Sequence, residues 1–168
     1  MSRINGFTVG QPDPERYTPP EIAVAIRDAL GTIDLDPATT EKVNKLFIRA
    51  KHIYTEETNG LNRDLPWKGK VFINPPGSND NPRFFWERLM FEYQEGNISG
   101  GIFLAFDIEF LRQSQNWNYR PMVTWPFCLP SKRITFYREK NDLIQPHDVR
   151  HGASSATAGR HARCSASR

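Results

Sequence analysis

The chain has 168 residues, of which 38% are apolar and 12% aromatic, enough to bury a core and too many for a wholly disordered polymer. No segment approaches the apolar run that spans a bilayer, and Met1 to Gly10 lacks the apolar stretch of a signal peptide, so a soluble, cytoplasmic protein with no membrane partner is expected. The net charge of +3 belongs to residues 147–168, whose four Arg and one Asp, taken from totals of 22 and 19, leave 18 basic and 18 acidic residues before them; bulk charge is no argument for nucleic-acid binding by the folded part.

Tyr17-Thr18-Pro19-Pro20-Glu21 reads as a helix start, with Thr18 as cap, Pro19 in the first turn and Glu21 completing a capping box. Ile22, Ile26, Ala29 and Leu30 follow as one apolar stripe, and Gly31 supplies a stop. Ile33-Asp34-Leu35-Asp36-Pro37 alternates apolar and acidic residues and predicts a short strand. A helix is then expected after Thr39 or Thr40, with Val43, Leu46, Phe47 and Ala50 at helical spacing.

Residues 54–68 are polar and turn-rich, with Asn59-Gly60 and Pro66 as punctuation. They lead into Val71-Phe72-Ile73, an apolar run that reads as a buried strand and ends in Asn74-Pro75-Pro76-Gly77. Asn81-Pro82 opens a second helix with Phe85, Trp86, Leu89, Met90 and Tyr93 on its stripe, widened by Phe84 and Phe91 and stopped by Gly96. Gly101 to Phe106 predicts another buried strand, and Asp107 a cap for a short helix through Leu111. Met122-Val123 and Ile134 to Tyr137 are late strand candidates around the Pro126 to Lys132 loop, with no helix between them.

Strands alternating with helices argue for an α/β fold, a mostly parallel sheet with helices on both faces and an antiparallel edge. From His147 the composition turns to Ala, Ser, Arg and His, which cannot offset its ordering entropy, so 1–146 is the expected domain and 147–168 a disordered tail. Cys128 and Cys164 support neither a disulfide framework nor a zinc site, and the four histidines show no ligand spacing, so no metal is expected. Cys128, in a Pro-Phe-Cys-Leu loop, reads as a buried or half-buried structural thiol, not a nucleophile.

The proline pair after Asn74 donates no backbone hydrogen and leaves the Asn74 and Pro75 carbonyls open to a ligand, at a strand end where α/β sheets bind ligands. In order along the chain, Tyr17-Thr18-Pro19-Pro20, Ile33-Asp34-Leu35-Asp36-Pro37-Ala38 and Asn74-Pro75-Pro76 resemble segments of phage-type DNA adenine-N6 methyltransferases. These are relatives of the bacterial Dam enzymes. Gly60-Leu61, Trp67, Phe103 to Phe106, and Pro126-Phe127 with Arg133 extend the resemblance from about Tyr17 to Tyr137.

The resemblance implies a Rossmann-like fold, S-adenosylmethionine as cofactor and DNA as partner, in a bacterial host cell. It implies cofactor contacts from Tyr17, Thr18, Pro19, Asp34, Asp36, Pro37 and Ala38, and from Asp64 toward the adenine. Asn74, Pro75 and Pro76 would receive the target amine, and Lys132, Arg133 and Arg138 are candidates for phosphate contacts. Gly77 stands where many relatives place a stacking aromatic residue, with Phe84 or Trp86 as substitutes. The family's final apolar strand has no counterpart after Pro146, so the sheet is expected to lack an edge, as after a truncation or frameshift. Methylation of a cytosine amine, a small-molecule methyltransferase and a non-catalytic DNA-binding derivative stand as alternatives.

Overall fold

The computed structural model describes residues 16–77, 81–105, 108–121, 125–140 and 143–146. Helix α1 (Pro20–Leu30) starts on Pro19 and not on Thr18, whose side chain is buried and caps nothing. Proline there has the extended φ of −66° and ψ of 152°, which lets its own carbonyl take the first helical bonds from Ile22 and Ala23. Gly31 ends the helix as expected, and Ala23 and Ile26 are its buried residues, while Ala29 is exposed.

Strand β1 (Leu35–Asp36) leads to Thr40, whose hydroxyl accepts the Val43 N–H at 3.3 Å and opens α2 (Glu41–Val43). The chain then widens into a π-helical turn over Asn44–Ile48, closed by the Arg49 N–H on the Asn44 carbonyl at 2.8 Å. The extra residue per turn displaces the apolar stripe: Leu46 is exposed, whereas Ile48 and Ala50 are buried. Asn44 stabilises the exit by bonding both the N–H and the carbonyl of Ala50, at 2.7 and 3.1 Å. Strand β2 (His52–Ile53) follows, in a stretch too short and polar to announce itself.

Strand β3 (Gly69–Ile73) holds Val71, Phe72 and Ile73 fully out of water, worth about 1.5–3 kcal/mol per side chain. Helix α3 (Asn81–Gln94) and strand β4 (Ile98–Phe103) come next, then α4 (Ile108–Gln113) and one 3-10 turn (Ser114–Asn116). Asp107, expected to cap α4, and Met122-Val123, expected as a strand, lie outside the described residues, as does the tail 147–168.

The four strands form one parallel sheet in the order β2-β1-β3-β4. Phe72 packs with Ala23 and Ile26 of α1, Val43 and Ile48 on one face, while Val71 and Ile73 pack with Phe85, Trp86, Leu89 and Met90 of α3 on the other. Helices therefore cover both faces. The expected antiparallel pair is a separate two-stranded hairpin, β5 (Tyr137–Lys140) with β6 (Leu143–Pro146), later in the chain than Ile134 to Tyr137 suggested. It is tied to the body by an antiparallel bridge between Tyr17 and Tyr137 and by an ion pair from Lys42 to Glu139 at 2.5 Å. Among the described residues no helix is long and apolar enough to cross a membrane.

Asp34 opens β1 and is part of this frame. Its carboxylate accepts the Lys70 N–H at 2.8 Å and the Lys51 ammonium at 2.7 Å, and its own N–H donates to the Lys70 carbonyl at 2.8 Å. Those bonds, Lys51 first, hold the carboxyl below its ordinary pKa. A depressed pKa means stability present above the unfolded value and lost on acidification. Asp34→Ala is expected to cost about 1–3 kcal/mol at neutral pH. Urea unfolding checks this, and the gap between variant and wild type should close as the pH falls below the carboxylate range.

Candidate functional site

In the sheet order, β1 connects to β2 on one side and pairs with β3 on the other. The crevice beyond the carboxyl ends of β1 and β3 is thus the point where the winding reverses, the usual ligand position in such sheets. A cavity of about 450 Å³ lies there, within the range of small-molecule sites. Asp36-Pro37-Ala38 leave β1 into its wall, and Asn74-Pro75-Pro76 leave β3 into it beside them. Tyr17 and Thr18 line it from the segment before α1.

The segment 16–18 is held there by two bonds across the Tyr17–Tyr137 bridge, at 2.7 and 2.9 Å. It in turn orients Asn74, whose Nδ2 donates to the Arg16 carbonyl at 2.7 Å. A carbonyl only accepts, so the amide must present its nitrogen to Arg16. The other end, Oδ1, is buried and has no hydrogen-bond partner among the described residues. Neither the Asn74 nor the Pro75 carbonyl is taken by a main-chain donor there, as expected where two prolines follow.

Asp36 is the buried carboxyl of the site. Desolvation pushes its carboxyl up to about 7, against the smaller opposing effect of the Ala38 N–H, which donates to Oδ1 at 3.0 Å. With Glu56 it gives the wall two carboxyl groups against one guanidinium, that of Arg16. Such a lining favours a cationic or neutral ligand over a polyphosphate.

The third wall is the loop between β2 and β3, where Thr55, Glu56, Asn59, Gly60 and Leu61 face the cavity. Gly60 lies so close to β1 that a Cβ on it would sit 2.0 Å from the Pro37 carbonyl oxygen. Behind it, buried Trp67 donates from Nε1 to the Gly60 carbonyl at 3.1 Å. Arg88, buried on α3, sends Nη2 to the Leu65 carbonyl at 3.0 Å and Nη1 to the carbonyls of Asn62 and Leu61 at 3.3 and 3.4 Å. Its guanidinium also lies 5.2 Å over the Trp67 ring and pairs with buried Glu92, which holds Asn97 Nδ2 at 2.7 Å. Phe85 closes the floor, stacked 6.4 Å from Trp67.

The structure thus brings together Tyr17, Thr18, Asp36, Pro37, Ala38, Asn74, Pro75 and Pro76. Pro19 is buried as the helix cap and does not line the cavity. Asp34 is spent on the β1–β3 junction, and Asp64 is exposed on the loop, its N–H donating to the Asn62 side chain at 3.1 Å; neither reaches the wall. Lys132 and Arg133 are exposed, and Arg138 is half-buried on β5 with Nε lacking a partner among the described residues. Phe84 is exposed, and Trp86 is buried with Nε1 on the Tyr119 carbonyl at 2.8 Å, which assigns it to packing. Sequence reasoning missed Glu56, Asn59 and the Arg88 clamp; Asn59-Gly60 was legible only as a turn. No group of three metal-binding side chains occurs among the described residues.

Two outcomes test this geometry. Because the folded Asp36 holds a proton that the unfolded chain has released, stability falls as the pH rises from about 4 to about 7 and levels off above. Urea midpoints at pH 5 and pH 8 should show that loss, on the order of a few kcal/mol, in the wild type and not in Asp36→Asn. Arg88→Lys keeps a charge for Glu92 and loses the fork to three carbonyls, so amide exchange in residues 55–65 should accelerate by about tenfold or more while β3 and β4 stay protected.

Compared with protein-family models, curated proteins and solved structures, the chain matches none. What can be concluded about its chemistry therefore comes from this cavity.

Proposed function

We propose that the chain is an S-adenosylmethionine-dependent methyltransferase of Rossmann-like fold that acts on the exocyclic N6 amine of adenine in DNA. The observation that carries this reading is the convergence of three segments distant in sequence, Tyr17-Thr18, Asp36-Pro37-Ala38 and Asn74-Pro75-Pro76, on one cavity at the sheet's switch point. These are the segments on which the resemblance to DNA adenine methyltransferases rests.

The donor set fits the cofactor. Asp36 and Glu56 suit a ligand carrying a sulfonium and an ammonium, and a cavity of about 450 Å³ matches a molecule of that size. When bound, S-adenosylmethionine supplies an electrophilic methyl carbon and a thioether leaving group. The remaining work falls to the chain.

An adenine amine is a weak nucleophile because its lone pair is delocalised into the ring. Asn74 Oδ1 and the Pro75 carbonyl, neither of which meets a donor among the described residues, can each take one amine hydrogen. Oδ1 has almost no exposed surface, so the amide must turn slightly to meet its donor. With both hydrogens held by Asn74 Oδ1 and the Pro75 carbonyl, the nitrogen would pyramidalise and present its lone pair to the methyl carbon, which would pass to nitrogen as its bond to sulfur broke. The surplus proton leaves to water, since neither oxygen is basic enough to keep it. Catalysis of this kind is orientation and fixed dipoles, without a covalent enzyme intermediate. The target base must leave the duplex to reach the pocket.

Calorimetric titration with S-adenosylmethionine and methyl transfer to unmethylated duplex DNA test the reading, with mass spectrometry naming the modified base. Asn74→Ala should lower transfer by roughly 100-fold or more while cofactor affinity changes by less than about threefold. Equal turnover in that variant removes Asn74 from the mechanism. Failure of the wild type to bind the cofactor, alongside salt-sensitive DNA binding, would replace the enzyme with a non-catalytic module.

A further inference from the structure

The segment 126–133 runs between two anchors. On one side Trp125 packs edge-on against Tyr93 and Trp86 of α3, with ring centroids 4.8 and 6.4 Å apart. On the other, Phe136 is buried and Tyr137 pairs with Tyr17 at the cavity rim. Every residue from Pro126 to Arg133 is exposed, including Cys128, for which burial or half-burial was expected. Phe127 and Leu129 leave 54% and 68% of their surface in water.

Keeping two large apolar side chains wet forgoes the stabilisation that their burial would bring, a cost that a mere connector avoids by using polar residues. Beside them, Lys132 and Arg133 form no ion pair or hydrogen bond among the described residues, although Lys42, Lys51, Arg83 and Arg88 all have acidic partners. The segment itself contains no acid. Its charge is therefore local and uncompensated, in a chain whose first 146 residues balance. A partner must offer anions and apolar faces within one side chain of each other, which a duplex does wherever a base has left the stack.

We propose that residues 126–133 are the DNA-engaging element, with Lys132 and Arg133 on backbone phosphates and Phe127 and Leu129 filling the space that the target base vacates. The inference rests on the reading of the chain as a DNA methyltransferase. Arg133 is four residues from Tyr137, a reach of at most about 14 Å, so a phosphate held there stays near the rim that Tyr17 forms. The loop that grips the duplex and the wall that receives the base are joined through one backbone bridge.

The test is equilibrium binding of the full chain to a short unmethylated duplex, intact or carrying one central abasic site, over a range of salt. The wild type should prefer the abasic duplex by roughly tenfold, because the space for a wedge is already open. Phe127→Ala with Leu129→Ala should abolish that preference and keep the salt slope. Lys132→Ala with Arg133→Ala should lower the slope by about two and keep the preference. Thermal unfolding should be unchanged in both, since the side chains are exposed.

Variants that match the wild type in slope and preference overturn the proposal. So does a wild-type dimer that Phe127→Ala with Leu129→Ala converts to monomer at unchanged DNA affinity, which assigns the segment to self-association. A wild type that binds no duplex fails the proposed function as well. One that methylates DNA while the variants bind as it does fails this inference alone.

Discussion

Leu35 opposite Val71 is the single ladder pair that joins β1 to β3, and Asp34 supplies the bonds that keep the two strands in step. Its N–H and carboxylate grip the carbonyl and N–H of Lys70, so one residue closes a two-point contact at the amino end of the junction. Gly69 makes room for it: its φ is +72°, and a Cβ there would lie 2.4 Å from the Asp34 carboxylate. Because β1 and β3 leave the sheet side by side, Asp36-Pro37-Ala38 and Asn74-Pro75-Pro76 must emerge into the same crevice.

The cavity is finished by parts that no strand supplies. The β2–β3 loop would be free to lift away, but Arg88 binds three of its carbonyls and Trp67 a fourth. Burying an ion pair seldom stabilises a fold over an apolar pair of the same size. Arg88 and Glu92 are better understood as fixing the shape of the loop, since the guanidinium fork satisfies carbonyls that otherwise face an apolar helix. On the opposite side the β5–β6 hairpin performs the same task for Arg16 to Thr18, using backbone bonds in place of a side chain.

Two unfinished polar groups stand on the cavity wall after that framework is closed. Asp36 is deprived of water with one N–H for compensation, and Asn74 Oδ1 has no donor among the described residues. Each costs folding free energy that an apolar residue would not, on the order of 1–3 kcal/mol. Arg138 Nε on β5 is also without a partner among the described residues, but Asp36 and Asn74 share the wall of one cavity, as expected of a site that takes a ligand with hydrogen-bond donors.

Local patterns marked much of this in advance. The apolar run at Val71 to Ile73, the stripe of α3 and the proline-marked strand ends follow from burial and backbone geometry that a few neighbouring residues decide, whereas β4 begins at Ile98, three residues before the expected buried strand Gly101 to Phe106, and is only half-buried from Gly101 to Phe103. The α/β class with helices on both faces followed from their order. What periodicity could not show was decided by contacts between distant residues. The π-helical turn depends on how Ile48 and Ala50 meet α1, and β2 exists because β1 offers it an edge. Asp34 carried the same acidic signature as Asp36, yet it stands two residues earlier, at the amino end of β1, where it meets Lys70 and Lys51, while Asp36 at the carboxyl end meets the cavity. The third wall was invisible because Gly60 and Arg88 act on partners 23 and 27 residues away, Pro37 and Leu61, and side-chain spacing carries no record of such closures.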